Sequence, residues 1–181
     1  MMTQPPLRAH RLNRKNVPEE KPRKENMEVN DTIPDFTLQD DQDKTVHLSD
    51  YAGKPVVLFF YPRADTPGCT IEACGFRDQF KKIQNTGAVV LGISRDTPRA
   101  QKKFREKYDL PYTLLADVDE VVCKQFGVLK QKNMYGKKVM GIERTTYLIG
   151  PDRKLLKIFP KVQPEGHAEE VLTVLKELKK G

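Results

Sequence analysis

Apolar residues in this chain gather into short runs separated by long polar stretches. Residues 56–60, 87–93, 146–149 and 155–159 are rich in β-branched and aromatic side chains and are bounded by Gly, Pro or charged residues. Runs of this length and composition predict buried strands, and 113–115 adds a shorter one. Residues 36–39 and 45–48 alternate apolar and polar about the turn Asp40-Asp41-Gln42-Asp43, which predicts a hairpin ahead of the main sheet, with His47 on its outward side. Elsewhere the period is helical. A helix from Pro67 onward would turn Ile71, Phe76 and Phe80 inward, and one over 165–180 would place Val171, Leu175 and Leu178 on a single stripe. Further helices are predicted over 97–108, opened by Thr97-Pro98, and over 120–126. The turn Gly150-Pro151-Asp152-Arg153 joins the last two strands into a hairpin. Strands alternating with helices and finishing in a hairpin and a helix give a layered α/β domain.

The most informative stretch follows the strand over 56–60. In Tyr61-Pro62-Arg63-Ala64-Asp65-Thr66-Pro67-Gly68-Cys69, Thr66 can cap a helix and Pro67 suits its first position, so Cys69 falls in the first turn. Free backbone N–H groups and the positive end of the helix dipole stabilise a thiolate over a thiol there. On its own a cysteine there reads equally well as a small apolar packing residue, since free Cys is among the most buried residue types. The Thr66-Pro67-Gly68 approach favours the chemical role, because it brings backbone N–H groups rather than dense side chains to the sulfur.

Cys74 lies five residues further on. Five residues of α-helix turn roughly 140° and rise about 7.5 Å, which separates the two Cα atoms by about 8 to 9 Å. A disulfide needs about 7 Å or less. Either Cys74 is a core thiol, or the pair is redox-active and the first turns of the helix unwind during turnover. Cys123 sits in Val121-Val122-Cys123-Lys124-Gln125-Phe126, on an apolar face, and reads as packing. No C-x2-C pair or neighbouring histidine offers metal-ligand spacing, so neither a metal nor a cofactor is expected.

Pro62-x3-Thr66-x2-Cys69 resembles the active-site signature of the peroxiredoxins. Cys69-x4-Cys74 followed by Gly75-Phe76-Arg77-Asp78 is similar to their Q-type branch, the bacterioferritin comigratory proteins. The likeness runs from about Val29 to the C-terminus and implies a thioredoxin-like α/β fold with an N-terminal β-hairpin extension. It also implies roles. Cys69 would be the peroxidatic thiolate and Cys74 the resolving thiol; Thr66, together with Arg144 in Gly141-Ile142-Glu143-Arg144-Thr145-Thr146, would hold the peroxide, and Pro62 would shield the sulfur. The implied enzyme reduces hydrogen peroxide and organic hydroperoxides through a sulfenic acid and a Cys69–Cys74 disulfide, with thioredoxin or a similar dithiol as reductant. A resolving cysteine within the same chain makes a monomer the default.

Composition adds a boundary and several exclusions. Residues 1–28 are expected to form a disordered basic tail ahead of a domain over 29–181: residues 1–30 contain four prolines, no aromatic residue and no regular period. Those thirty residues hold seven basic and four acidic side chains, a net of +3 out of the chain's +7, so the excess is concentrated there without being confined to it. Acidic residues interrupt the basic run and no aromatic could stack on a base, so nucleic acid is not an expected partner. An apolar leader is missing, which argues against secretion, and sparse, odd-numbered cysteines fit a reducing, cytoplasmic setting. Two other functions compete: a thioredoxin-like thiol–disulfide oxidoreductase, disfavoured by the absence of C-x2-C, and a redox-sensing nucleic-acid-binding protein, motivated by the basic tail.

Overall fold

The computed structural model describes residues 26–180. Nearly all of the expected tail, 1–28, therefore lies outside the described residues, and at the boundary Met27 already packs against the core. The chain order is β1 (Thr37–Asp40), β2 (Thr45–His47), a 3-10 turn (Leu48–Tyr51), β3 (Val56–Phe60), α1 (Pro67–Asn85), β4 (Val89–Ser94), α2 (Pro98–Lys107), β5 (Thr113–Ala116) and α3 (Val121–Phe126). It continues with β6 (Leu129–Met134), β7 (Lys137–Ile142), β8 (Thr145–Ile149), β9 (Leu155–Phe159) and α4 (His167–Lys180). Seven strands form one mixed sheet in the order β2-β1-β5-β4-β3-β8-β9. The expected N-terminal hairpin is present, and it extends the edge of this sheet through antiparallel pairing of β1 with β5.

β3 lies inside the sheet, parallel to β4 and antiparallel to β8, and all five of its residues are buried. A strand covered on both faces must be apolar throughout, as Val-Val-Leu-Phe-Phe is. Its side chains alternate between two cores. Val57 and Phe59, continued by Tyr61, join Phe76, Phe104, Val171 and Leu175 from α1, α2 and α4. Val56, Leu58 and Phe60 join Phe36, Val122, Phe126 and Tyr147 on the side covered by α3 and the N-terminal segment. Gly92 on β4 makes room for this packing: a Cβ there would come within 2.8 Å of Leu114 and 2.9 Å of Phe59.

Two expectations need correction, and one further element carries no sequence signal. Ile71 is 43% exposed; the inward face of α1 is Cys69, Glu72, Ala73, Phe76 and Ile83 instead. The rotation of the helix puts Cys69, Glu72, Ala73 and Phe76 inward, so the buried stripe is set by Cys69 rather than by the largest nearby aliphatic. Leu178 is 44% exposed at the last turn of α4, beyond the sheet that covers Val171 and Leu175. The β6–β7 ribbon was not anticipated, because its strands are mostly polar and exposed and carry no burial signal. Among the described residues it pairs only with itself, outside the seven-stranded sheet.

Candidate active site

β3 ends at Phe60, and the next six residues form a loop that α1 continues. Two acidic anchors fix that loop. Asp96, after β4, accepts from the backbone N–H of Ala64 (2.8 Å) and from the hydroxyl of Ser94 (2.6 Å). Ser94 accepts in turn from Gln101, whose side-chain oxygen accepts from the buried Tyr61 hydroxyl. Asp65, held at φ +58°, accepts from Lys107 (2.8 Å) and from the Tyr108 hydroxyl (2.7 Å) on the α2 side. These two lysine and tyrosine bonds hold the Asp65 carboxyl below its ordinary value.

Thr66 occupies the N-cap position of α1 and Pro67 the first helical position, as the sequence predicts. The Thr66 side chain nevertheless makes no capping bond: its hydroxyl donates to Arg63 carbonyl at 2.8 Å. Its lone pairs stay available to accept from a bound molecule. Pro62 is half-buried at the head of the loop. Cys69, the third helical residue, is 1% exposed.

Arg144 arrives from the short connection between β7 and β8. Its Nη2 lies 3.5 Å from Cys69 Sγ, and its Nη1 lies 3.2 Å from Glu72 Oε2. Gly68 allows this approach, since a Cβ there would stand 3.0 Å from Arg144 Nη2. Burial works against the guanidinium charge, but Glu72 and Cys69 outweigh it, so Arg144 holds its proton more firmly than a free arginine. Glu72 is 1% exposed, and burial pushes its carboxyl up to about 7 against the opposing pull of Arg144. Its other oxygen, Oε1, is buried without a hydrogen-bond partner among the described residues.

Cys74 shares α1 with Cys69, and the helix is unbroken from Pro67 to Asn85. Both thiols, like that of Cys123, are free. Cys74 is half-buried, and burial raises its thiol above the ordinary value, with Asp78 adding to the shift and Arg77 opposing it. Cys123 is fully buried among apolar side chains, in keeping with a packing role.

Four of the five residues singled out in the sequence thus lie along one continuous segment, and the fifth, Arg144, joins them from 75 residues beyond Cys69. Sequence reasoning missed Glu72 and the clearance at Gly68. Glu72 carried a usable signal: it is three residues after Cys69, on the same helical face. Among the described residues no group of three or more His, Cys, Asp or Glu side chains could hold a metal ion, and no helix is long and apolar enough to cross a membrane.

Comparison with known proteins agrees with this geometry. Residues 29–158 match the AhpC/TSA family. A protein named as a bcp peroxiredoxin in Coxiella burnetii is 50% identical over 146 residues, covering 81% of this chain and 97% of the relative. Peroxiredoxin Bcp of Escherichia coli K12 is 42% identical over 151 residues, covering 83% and 97%. Among solved structures, the bacterioferritin comigratory protein of Xanthomonas campestris, described for its alkyl peroxide reduction activity, superposes with a TM-score of 0.76 at 38% identity, covering 80% of this chain and 92% of that one. BcpB of Mycobacterium tuberculosis superposes at 0.75 with 42% identity, covering 83% and 97%. The chain belongs to the AhpC/TSA family and is a thiol peroxidase of the Bcp, or Q-type, peroxiredoxin branch with the thioredoxin-like fold.

Proposed function

We propose that Cys69 is the peroxidatic nucleophile and Cys74 its resolving partner, in a cycle completed by a protein dithiol of the thioredoxin kind. The observation that carries this reading is the 3.5 Å contact of Arg144 Nη2 with Cys69 Sγ at the start of α1. A fixed cation with several N–H donors stabilises negative charge on the sulfur and on the oxygen that leaves it.

In the proposed step the Cys69 thiolate attacks the terminal oxygen of a hydroperoxide. The S–O bond forms, the O–O bond breaks, and the departing oxygen takes a proton from solvent to leave as water or alcohol. Cys69 is then a sulfenic acid. Charge moves from sulfur to the leaving oxygen, so donors aimed there by Arg144 bind the transition state more tightly than the ground state. With its hydroxyl hydrogen committed to Arg63, Thr66 acts as acceptor and orients the O–H of the peroxide. Pro62 limits access of water to the sulfur.

The Cys74 thiol next attacks the sulfenic sulfur, forming a disulfide and releasing water. On an intact helix the two Cα atoms stand about 8 to 9 Å apart, too far for the bond, so the first turns of α1 unwind for this step. Exchange with an external dithiol regenerates both thiols. Because both cysteines belong to one chain, a monomer suffices, and a reducing cytoplasm is the fitting compartment.

Stopped-flow peroxide reduction tests the assignment. Cys69→Ser should consume no peroxide, whereas Cys74→Ser should complete one turnover, accumulate a dimedone-reactive sulfenic acid and stall with thioredoxin as donor. Full steady-state activity of Cys74→Ser with thioredoxin would remove Cys74 from the cycle. Hydrogen exchange supplies an independent check: amides from Cys69 to Cys74 should exchange much faster in the disulfide form than in the dithiol form, and equal protection would contradict the unwinding.

A further inference from the structure

The β6–β7 ribbon projects from the rim of the site just described. Its base pair is Leu129 with Ile142, and the backbone N–H of Glu143 donates to Val128 carbonyl immediately below. Arg144 follows directly, so the strand that leaves the ribbon delivers the guanidinium to Cys69. From that buried base the strands run six residues each, about 20 Å at the usual rise of a β-strand. At the far end Tyr135 and Gly136, both at positive φ, make a tight turn, and Tyr135 is fully exposed.

The surface of this ribbon is unusual in two respects. Residues 129–142 contain four lysines and no acidic residue. Beside those lysines the ribbon leaves Met134 53%, Val139 38% and Met140 51% exposed. A free-standing two-stranded ribbon is marginal in water, and exposed apolar side chains add nothing to it until something covers them. Strand alternation sorts the residues. Lys130, Lys132 and Met134 share one face with their partners Gly141, Val139 and Lys137. On that face the Lys132 stem lies over Gly141 and its Nζ donates to Ile142 carbonyl at 3.0 Å, bracing the base. The side chains of Lys130 and Lys137 form no hydrogen bond or ion pair among the described residues, and they flank Val139 and Met134. The result is an apolar strip edged by unpaired positive charge.

We infer that this face of the ribbon is the docking surface for the protein dithiol that re-reduces the enzyme, and that the complementary surface of that partner is an apolar patch with an acidic rim. The inference rests on the cycle proposed above, which requires a second thiol to reach the start of α1 beside the ribbon's base. A small dithiol needs no lateral contact to do so; a folded protein does. The strip of Val139 and Met134 between lysines suits a protein interface, in which apolar contacts provide affinity and charge guides encounter. A nucleic-acid surface would use stacking aromatics, and the ribbon carries only Tyr135.

The test compares two electron donors on the full chain. Lys130→Glu/Lys137→Glu and Val139→Ser variants are assayed for peroxide turnover with thioredoxin and its NADPH-dependent reductase, and separately with dithiothreitol. The double charge reversal is expected to raise the KM for thioredoxin about tenfold, because rim charges set the rate of encounter, while dithiothreitol-supported turnover stays within twofold. Lys130→Gln/Lys137→Gln should give an intermediate rise, and added salt should raise the wild-type KM but not that of the charge-reversed variant. An unchanged KM in every variant overturns the docking surface, as does a parallel loss with both donors, which would make the ribbon a structural element. Salt-sensitive binding of a DNA duplex that the double variant loses, with its thioredoxin KM intact, would reassign the ribbon to nucleic acid and overturn the inference. A wild type that turns over with dithiothreitol but not with thioredoxin overturns it too, while a wild type inert with both donors sinks the catalytic cycle itself.

Discussion

Cys69 and Cys123 occupy the same place in two different helices. Each is the third residue of its helix, α1 from Pro67 and α3 from Val121, and each is almost completely buried, at 1% and 0% exposure. What meets the sulfur differs. At α1 no side chain caps the helix start, and Arg144 reaches across Gly68 to the thiol. At α3 the carboxylate of Asp117 accepts from the backbone N–H groups of Val122 (3.3 Å) and Cys123 (2.7 Å), so an anion already fills the position that a thiolate would exploit. Burial pushes the Cys123 thiol up, and Asp117 raises it further. An arginine is near this second thiol too, but Arg95 is paired with Glu120 at 3.0 Å and forms no hydrogen bond to Cys123. Burial and a helix start therefore leave the chemistry of a cysteine open, and the sign of the nearest fixed charge decides it.

The largest expected effect separates the two thiols outright. Cys69→Ser should abolish peroxide consumption, whereas Cys123→Ala, which adds no polar group to its apolar site, should retain activity within about twofold, because that thiol packs in the core on the other face of the sheet. Comparable losses from both, in a coupled NADPH assay, would erase the contrast. Next comes the cation. Arg144→Met should lower kcat/KM by about 10²–10³, the usual result of deleting one donor to a developing oxyanion, and should slow alkylation of Cys69 by iodoacetamide at pH 7. Arg144→Lys should fall between, since it keeps the charge but not the fork that touches both Cys69 and Glu72.

Glu72 gives a subtler separation. The folded chain raises its carboxyl from 4.5 to about 7, so between those values the folded state binds more protons than the unfolded state. Stability from this group is thus full below about pH 4.5 and is lost as pH rises through 7, a difference of up to about 3 kcal/mol at 1.36 kcal/mol per pKa unit. Urea unfolding of the dithiol form at pH 5 and pH 7.5 should show that fall, and Glu72→Gln should flatten it. An equally steep fall in the variant would place the pH dependence elsewhere.

How much of this was legible in the sequence follows from where the determining contacts lie. The strand over 56–60 and the helix beginning at Pro67 are local patterns, and both appear where the apolar run and the Thr-Pro capping pair place them. Local reasoning about a helix start applies equally to Cys69 and Cys123, so it could not by itself tell the two thiols apart. Arg144 was reached only through likeness to a family, because no periodicity links residues 75 positions apart. Ile71 was misplaced because helical spacing identifies a stripe but not its absolute rotation, which the buried Cys69 and Glu72 set here. The β6–β7 ribbon escaped because polar, exposed strands have neither a buried face nor an alternation to reveal them.

The smallest expected effect reverses the electrostatics at the second thiol. Asp117→Asn keeps the shape of the cap but removes its charge, and one amide oxygen serves less well the two N–H groups that the carboxylate now holds. Loss of a cap of this kind costs about 1 kcal/mol, or roughly 2–4 °C in Tm for a domain of this size. In a Cys69→Ser/Cys74→Ser background the same change should speed alkylation of Cys123 at alkaline pH, because one of the groups that keeps that thiol protonated is gone. Peroxide consumption should remain absent, since no guanidinium among the described residues donates to this sulfur and its burial is unaltered. Peroxidase activity from Asp117→Asn would show that removing an anion is sufficient, and that the arginine at the first site is dispensable.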